Sequence, residues 1–174
     1  MAEGEPLPEF DLHASLLSLP WLCGPELGRA AAETAYLHPP RESRIKLGRL
    51  PRAKLRLGVY WAAMPGQPLD RQRSAPFRHF MALAGDPELL VFSLQGGVNQ
   101  KDIQQFGAGG IVHDVGRGIF DFAEAATALA QLDLLISIDA PIAHLAAAMG
   151  MPTWVLTPPA VDWRWGAAVP PVRR

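Results

Sequence analysis

"LLISIDAPIAHLAAAMG", residues 134–150, decides how this chain is read. An apolar, partly β-branched run ends in Asp139, and a small-residue segment with a single histidine, His144, follows at once. The first half has the composition of a buried strand, and the alanines of the second favour a helix. Pro141 fits that helix's first turn, where its missing N–H breaks no helical bond. A plain packing unit needs a turn at this point, but it does not need an acid and a histidine there.

The same alternation extends outward in both directions. Strands are expected at 55–61 ("LRLGVYW"), 89–95 ("LLVFSLQ"), 110–115 ("GIVHDV"), 134–139 and 153–158 ("TWVLTP"). Helices are expected at 74–85, with Pro76 in the first turn, at 98–107, at 121–132 and at 141–149. In 121–132 the residues Phe122, Ala125, Ala126 and Leu129 repeat at i, i+3, i+4 and i+7, which marks one buried helical face. Strands apolar throughout, alternating with helices, imply a parallel sheet covered on both faces. The expected fold is a doubly wound, Rossmann-like α/β sheet of about five strands in the order 3-2-1-4-5.

Composition bounds the function. The 174 residues are 49% apolar and 19% charged, with a formal net charge of −1, which disfavours general nucleic-acid binding. Cys23 is the only cysteine, so an internal disulfide or a cysteine-based zinc site is excluded, and no metal site is expected. Residues 140–161 carry no formal charge, but four prolines and His144 interrupt the run, so no membrane insertion is expected. The acidic, proline-bearing "MAEGEPLPEF" is unlike a secretory leader, and a cytoplasmic location is expected.

Residues 1–54 read as an irregular, linker-like segment, 55–165 as the Rossmann-like domain and 166–174 as a short irregular tail. Seven basic residues against one acid, Glu42, lie between Arg41 and Arg56. They form either a solvated linker or a basic lip beside an anionic ligand.

In a doubly wound sheet the ligand crevice lies outside the carboxyl ends of the strands, where the winding reverses. Here that is between the first and fourth strands, which brings "AAMPGQPLDRQRS" (62–74) opposite "DAPIAH" (139–144). A helix starting near Ala140 offers unpaired N–H groups and its positive dipole end to phosphate. The amides of Ala140, Ile142 and Ala143 would form the cradle, with Arg71 and Arg73 neutralising a diphosphate across the crevice. Asp139 has a simpler reading as the helix cap, and His144 as a half-buried helix histidine. No GxGxxG opens the first strand–helix turn and no GxxxxGK[ST] occurs, so a dinucleotide and the common triphosphatase chemistry are disfavoured. "DWRW" (162–165), just past the last strand, offers tryptophans either for stacking on a base or sugar or for packing on a neighbour.

These residues carry a resemblance. "LLISIDAPIAHLAAAMGMPTWVLTP" resembles the donor-binding motif of the heptosyltransferase-like glycosyltransferases of family 9, which have the two-domain GT-B architecture. With "LRLGVYWAAMPGQPLDRQRSAP", "VFSLQGG" and "DWRW" it looks like the glycosyltransferase-like region that closes many bacterial tetratricopeptide-repeat proteins. "FDLHASLLSLPWLCG" is similar to the interdomain stretch before that region. The resemblance implies the C-terminal half of a GT-B fold. That half binds a nucleoside diphosphate sugar as substrate, with no separate cofactor, for transfer to an acceptor hydroxyl of a protein or saccharide.

By position, the resemblance puts Asp139, Ala140, Ile142, Ala143 and His144 at the donor diphosphate and gives Arg73 a donor contact. It places Gln95 and Asp162 on the donor side. Trp61 and Trp163 are further candidates for sugar or base contacts. The chain departs from the family where Ala140 and Pro141 stand in place of a hydroxyl residue and a small residue, and where Ala63-Met64 replaces Gly-Asn. Neither an N-terminal GT-B half nor tetratricopeptide repeats can be read in the sequence. A partner half is therefore expected, and the alternative is a non-catalytic, degenerate Rossmann-like module for protein interaction.

Overall fold

The computed structural model describes residues 8–18, 22, 35–48, 54–66, 70–159 and 165, with the backbone only for 17, 70 and 71. The chain divides into two units, Met1–Glu33 and Thr34–Arg174. In the first, a short 3-10 turn spans Leu16–Ser18, and the rings of Phe10 and His13 meet edge to face at 5.8 Å.

The second unit holds the sheet. Its strands are β1 (Leu55–Tyr60), β2 (Leu89–Ser93), β3 (Val112–Asp114), β4 (Leu134–Ile138) and β5 (Thr153–Leu156). All pairings among the described residues are parallel, and the order is β3-β2-β1-β4-β5, as the alternation implied. Leu57 of β1 is in register with Val91 on one side and Leu134 on the other, so the central strand is buried on both faces.

The helices are α1 (Asp70–Arg73), α2 (Arg78–Ala84), α3 (Asp102–Gln105), α4 (Phe122–Leu129) and α5 (Pro141–Ala148). One face of the sheet packs Leu57, Val59 and Val91 with Phe77, Phe80 and Ile103 from the α2 and α3 side. The other packs Phe92, Leu94 and Leu135 with Ala126, Leu129, Leu145 and Ala146 from α4 and α5. Burying each large apolar side chain contributes roughly 1.5–3 kcal/mol, so these two layers carry most of the fold's stability. At the β5 edge Trp154 and Leu156 remain exposed.

Several local details differ from the sequence reading. α2 begins at Arg78 rather than at Ser74. Ser74 and Ala75 are instead tied to the end of β1, through Ala63 N–H to Ser74 Oγ at 3.0 Å and Ala75 N–H to the Trp61 carbonyl at 2.8 Å. The expected helix at 98–107 is a 3-10 turn, Gly97–Lys101, running into α3. Phe122, expected on the buried stripe of α4, is exposed, while Ala125, Ala126, Ala128 and Leu129 are buried.

Residues 35–48 contain no helix or strand, yet they belong to the same unit as the sheet. Gln131, beyond the end of α4, holds this strap by both ends of its amide. Its Oε1 accepts from Leu47 N–H at 3.0 Å, and its Nε2 donates to the Ile45 carbonyl at 3.1 Å. Ile45 and Leu47 pack on the core while Arg44 and Lys46 face outward.

Candidate functional site: a cleft at the carboxyl ends of β1 and β4

The handover from β4 to α5 is built by its backbone. Ala140 is the helix N-cap in extended geometry (φ −144°, ψ 161°), Pro141 follows as the first helical residue, and no side chain caps the helix. The capping role considered for Asp139 therefore falls away, because Ala140 occupies that position and has no acceptor to offer. At the far end Gly150 adopts φ +72°, with Gly150 N–H bonded to Ala147 and Met151 N–H to Ala146. This is the left-handed stop that glycine permits, and it fixes the length of α5 at two turns.

At the N-terminal end the Ala143 N–H donates to the Ala140 carbonyl at 2.9 Å, so it is consumed internally. This corrects the expected cradle: of its three amides, Ala140 and Ile142 are the ones whose N–H meets no acceptor among the described residues. Both residues, with Asp139 and Pro141, line a cleft of about 720 Å³ at the carboxyl edge of the sheet. Tyr60 and Ala63 from the end of β1, Leu94 and Gly96 past β2, and Gly116 and Ile119–Phe122 ahead of α4 complete most of its surface. That volume lies within the range of ordinary small-molecule sites.

Arg73 lines the same cleft. Its Nη2 donates to the Asp139 backbone carbonyl and lies 3.9 Å from Asp139 Oδ2. Its Nε is buried and has no hydrogen-bond partner among the described residues. The guanidinium is thus anchored at one nitrogen and keeps donors unspent. Asp139 itself is only 6% exposed. Its Oδ1 sits 3.3 Å from His144 Nε2 but is not aligned with it as a hydrogen bond.

His144 stands on the outer side of this carboxylate. Its ring stacks on Trp165 at 5.1 Å with 20° between the planes. Neither His144 nor Ala143 lines the cleft, which departs from the expectation for both residues. One turn into α5, His144 lies beside Asp139 without lining the cleft.

Two further expectations are corrected by burial. Trp61 is 1% exposed, packs on Phe77 with ring centroids 4.5 Å apart, and donates from Nε1 to Asp102 at 3.0 Å. It is a core residue and does not line the cleft. Gln95, also 1% exposed, accepts on Oε1 from the N–H groups of Trp61 (3.2 Å) and Ala62 (2.9 Å). Its Nε2 donates to the Ala62 and Gly96 carbonyls, both at 3.1 Å. Every amide function of Gln95 is spent joining the ends of β1 and β2, which leaves nothing for a donor molecule. Arg71 falls in α1, but its side chain lies outside the described residues, as do Asp162 and Trp163.

The structure adds residues that the sequence reading passed over. Tyr60, Met64, Phe120 and Phe122 line the cleft, and Phe120 is 85% exposed. Burial raises the Tyr60 pKa above 10.0, partly offset by a side-chain hydrogen bond with Gln95, so the phenol stays neutral. The two phenylalanines flank Asp121, whose Oδ1 accepts the Glu124 N–H at 2.8 Å while Glu124 Oε2 accepts the Phe120 N–H at 2.8 Å. This variant of the capping box, in which Glu124 reaches the N–H one residue before the N-cap, holds the aromatic rim in place. "FDFAE" (120–124) carried that signal in the sequence, with two aromatics around an N-cap acid.

Among the described residues no helix is long and apolar enough to cross a membrane. Neither a family model nor a curated protein matches the chain. Among solved structures, the E. coli heptosyltransferase WaaC, determined with ADP-2-deoxy-2-fluoro heptose, is similar at 21% identity with a TM-score of 0.45. The match covers 63% of this chain and 34% of that one, so the chain spans about a third of that protein's length. The strand order and helix placement described above establish the Rossmann-like α/β fold on their own.

Proposed function

We propose that the cleft binds a nucleoside diphosphate sugar. The diphosphate would lie against the free N–H groups of Ala140 and Ile142 and the unspent donors of Arg73, and the base or sugar against Phe120 and Phe122. One observation carries the reading: Arg73 and Asp139 meet at a cleft between the ends of β1 and β4, beside amides that have no acceptor among the described residues. In this reading Asp139 does not touch phosphate, because a buried carboxylate would repel it. It orients Arg73 and His144 instead.

Glycosyl transfer needs a leaving diphosphate to be stabilised as its charge develops, and preorganised N–H and guanidinium donors do this. It also needs a base and an acceptor hydroxyl. Those belong to a partner, either a second Rossmann-like half as in a GT-B enzyme or a longer protein bearing tetratricopeptide repeats. The donor half would act on the cytoplasmic side, where nucleotide sugars are made.

A second reading is a non-catalytic interaction module. It is favoured by Ala140 and Pro141, which supply neither a hydroxyl nor a second N–H to phosphate, and by the exposed apolar rim of Met64, Phe120 and Phe122. Titration calorimetry against ADP-, UDP-, GDP- and dTDP-sugars separates the two. Saturable binding that is lost in Arg73→Ala supports the donor site. No heat at millimolar ligand supports the module.

A further inference from the structure

Among the described residues, the basic segment singled out in the sequence does not line the cleft. Arg44 and Lys46 border a separate groove of about 390 Å³, between the strap and the ends of β2 and β3. Its apolar lining includes Ile45, Leu47 and Phe92. The exposed imidazole of His113 lies flat on Phe92, at 4.9 Å and 22°. Asp114, the acid in the lining, has its own cation: Gln100 Nε2 donates to its Oδ1 at 2.8 Å, and its buried Oδ2 lies 2.8 Å from Arg117 Nε, paired in charge though not aligned as a hydrogen bond. Among the described residues no carboxylate pairs with Arg44 or Lys46. The groove therefore combines an apolar, flat-ringed surface with two cations that form no ion pair among the described residues.

We infer that this groove is a second ligand site, for a small organic anion bearing one phosphate or carboxylate on a flat apolar body. The body stacks on His113 and fills the space beside Ile45 and Leu47, while the head group takes charge-assisted bonds from Arg44 and Lys46. The site is linked to the cleft by a shared wall. Val115 and Gly118 line the groove, and Gly116 and Ile119 of the same loop line the cleft. A ligand in the groove thus bears directly on the loop that carries Phe120.

The test is an amide-resonance titration of the full chain with phenyl phosphate and, in a parallel arm, benzoate. Saturable shifts at Ile45, Lys46, His113 and Gly118, followed by Gly116 and Phe120, are expected. The arm that binds more tightly identifies the head group. Replacing Arg44 and Lys46 together by serine should weaken binding about tenfold, and Arg73→Ala should leave it unchanged. Inorganic phosphate or phenol alone should bind at least about tenfold more weakly. Shifts that do not saturate, that survive the double serine variant, or that fall only on Tyr60 and Phe120 overturn the inference. Because Arg73→Ala empties only the cleft, failure here and failure of the donor site are read separately.

Discussion

Replacing Gln95 by leucine removes the amide that joins the ends of β1 and β2 while keeping a side chain of similar size. Three fully buried backbone groups lose their partner: the N–H groups of Trp61 and Ala62 and the carbonyl of Ala62. A buried polar group left without a hydrogen bond costs about 1–3 kcal/mol. Allowing for local relaxation, the lower half of the sum applies, and Gln95→Leu should destabilise the domain by about 3–6 kcal/mol. That is a large part of the roughly 5–15 kcal/mol that holds a domain of this size together. Urea unfolding followed by tryptophan fluorescence measures it, since Trp61 sits beside the substitution. With a slope of about 1–3 kcal/mol per molar, the midpoint should fall by at least about 1 M. Gln95→Glu is the control: it keeps an acceptor, loses the donor and buries a charge, so it too should destabilise. A loss below about 1 kcal/mol at unchanged slope would refute the structural role and return Gln95 to the donor side of the cleft.

Other outcomes follow from the same geometry. A Cβ on Gly116 would lie 2.1 Å from the Gln95 carbonyl oxygen, so Gly116→Ala must displace the loop, at about 2 kcal/mol or more in thermal or urea unfolding. An unchanged stability would mean that the loop does not press on Gln95. Asp121→Ala breaks the capping box and should cost about 1 kcal/mol, with faster hydrogen exchange at the Glu124 amide; unaltered exchange counts against the box. The Tyr60 pKa is raised in the folded state, so the unfolded chain loses its proton first, near pH 10.0, and stability falls as pH rises above that value. Tyr60→Phe should flatten this alkaline limb of the melting-temperature profile, and identical limbs in both proteins contradict the assignment.

Much of the fold was legible because apolar β-branched runs alternate with alanine-rich segments. That pattern set the number of strands, their parallel pairing and the crevice between β1 and β4. The topology put the segments holding Arg73 and Asp139 at one crevice, but as opposite walls; their direct contact is a finding of the structure. What the pattern could not give was direction and hydrogen-bond use. Trp61 and Gln95 sit at strand ends facing the crevice in sequence, yet each turns inward, Trp61 to Phe77 and Gln95 to the neighbouring backbone. Ala143 belongs to the helix's first turn, but a 3-10 bond to Ala140 consumes its N–H. Phe122 matched the helical stripe by spacing, and its place in the first turn of α4 left it on the rim instead. The strap was invisible for another reason. Its attachment depends on one glutamine, Gln131, far away in sequence, and no local period encodes such a contact.

The central claim is that the amino end of α5 holds a diphosphate together with Arg73. Titrating labelled protein with inorganic pyrophosphate, observed at the backbone amides, tests it directly. The account predicts saturable shifts that are largest at Ala140 and Ile142, smaller at Ala143, whose N–H is already bonded, and abolished in Arg73→Ala. Equal shifts across the chain, or an unaltered titration in Arg73→Ala, would contradict it.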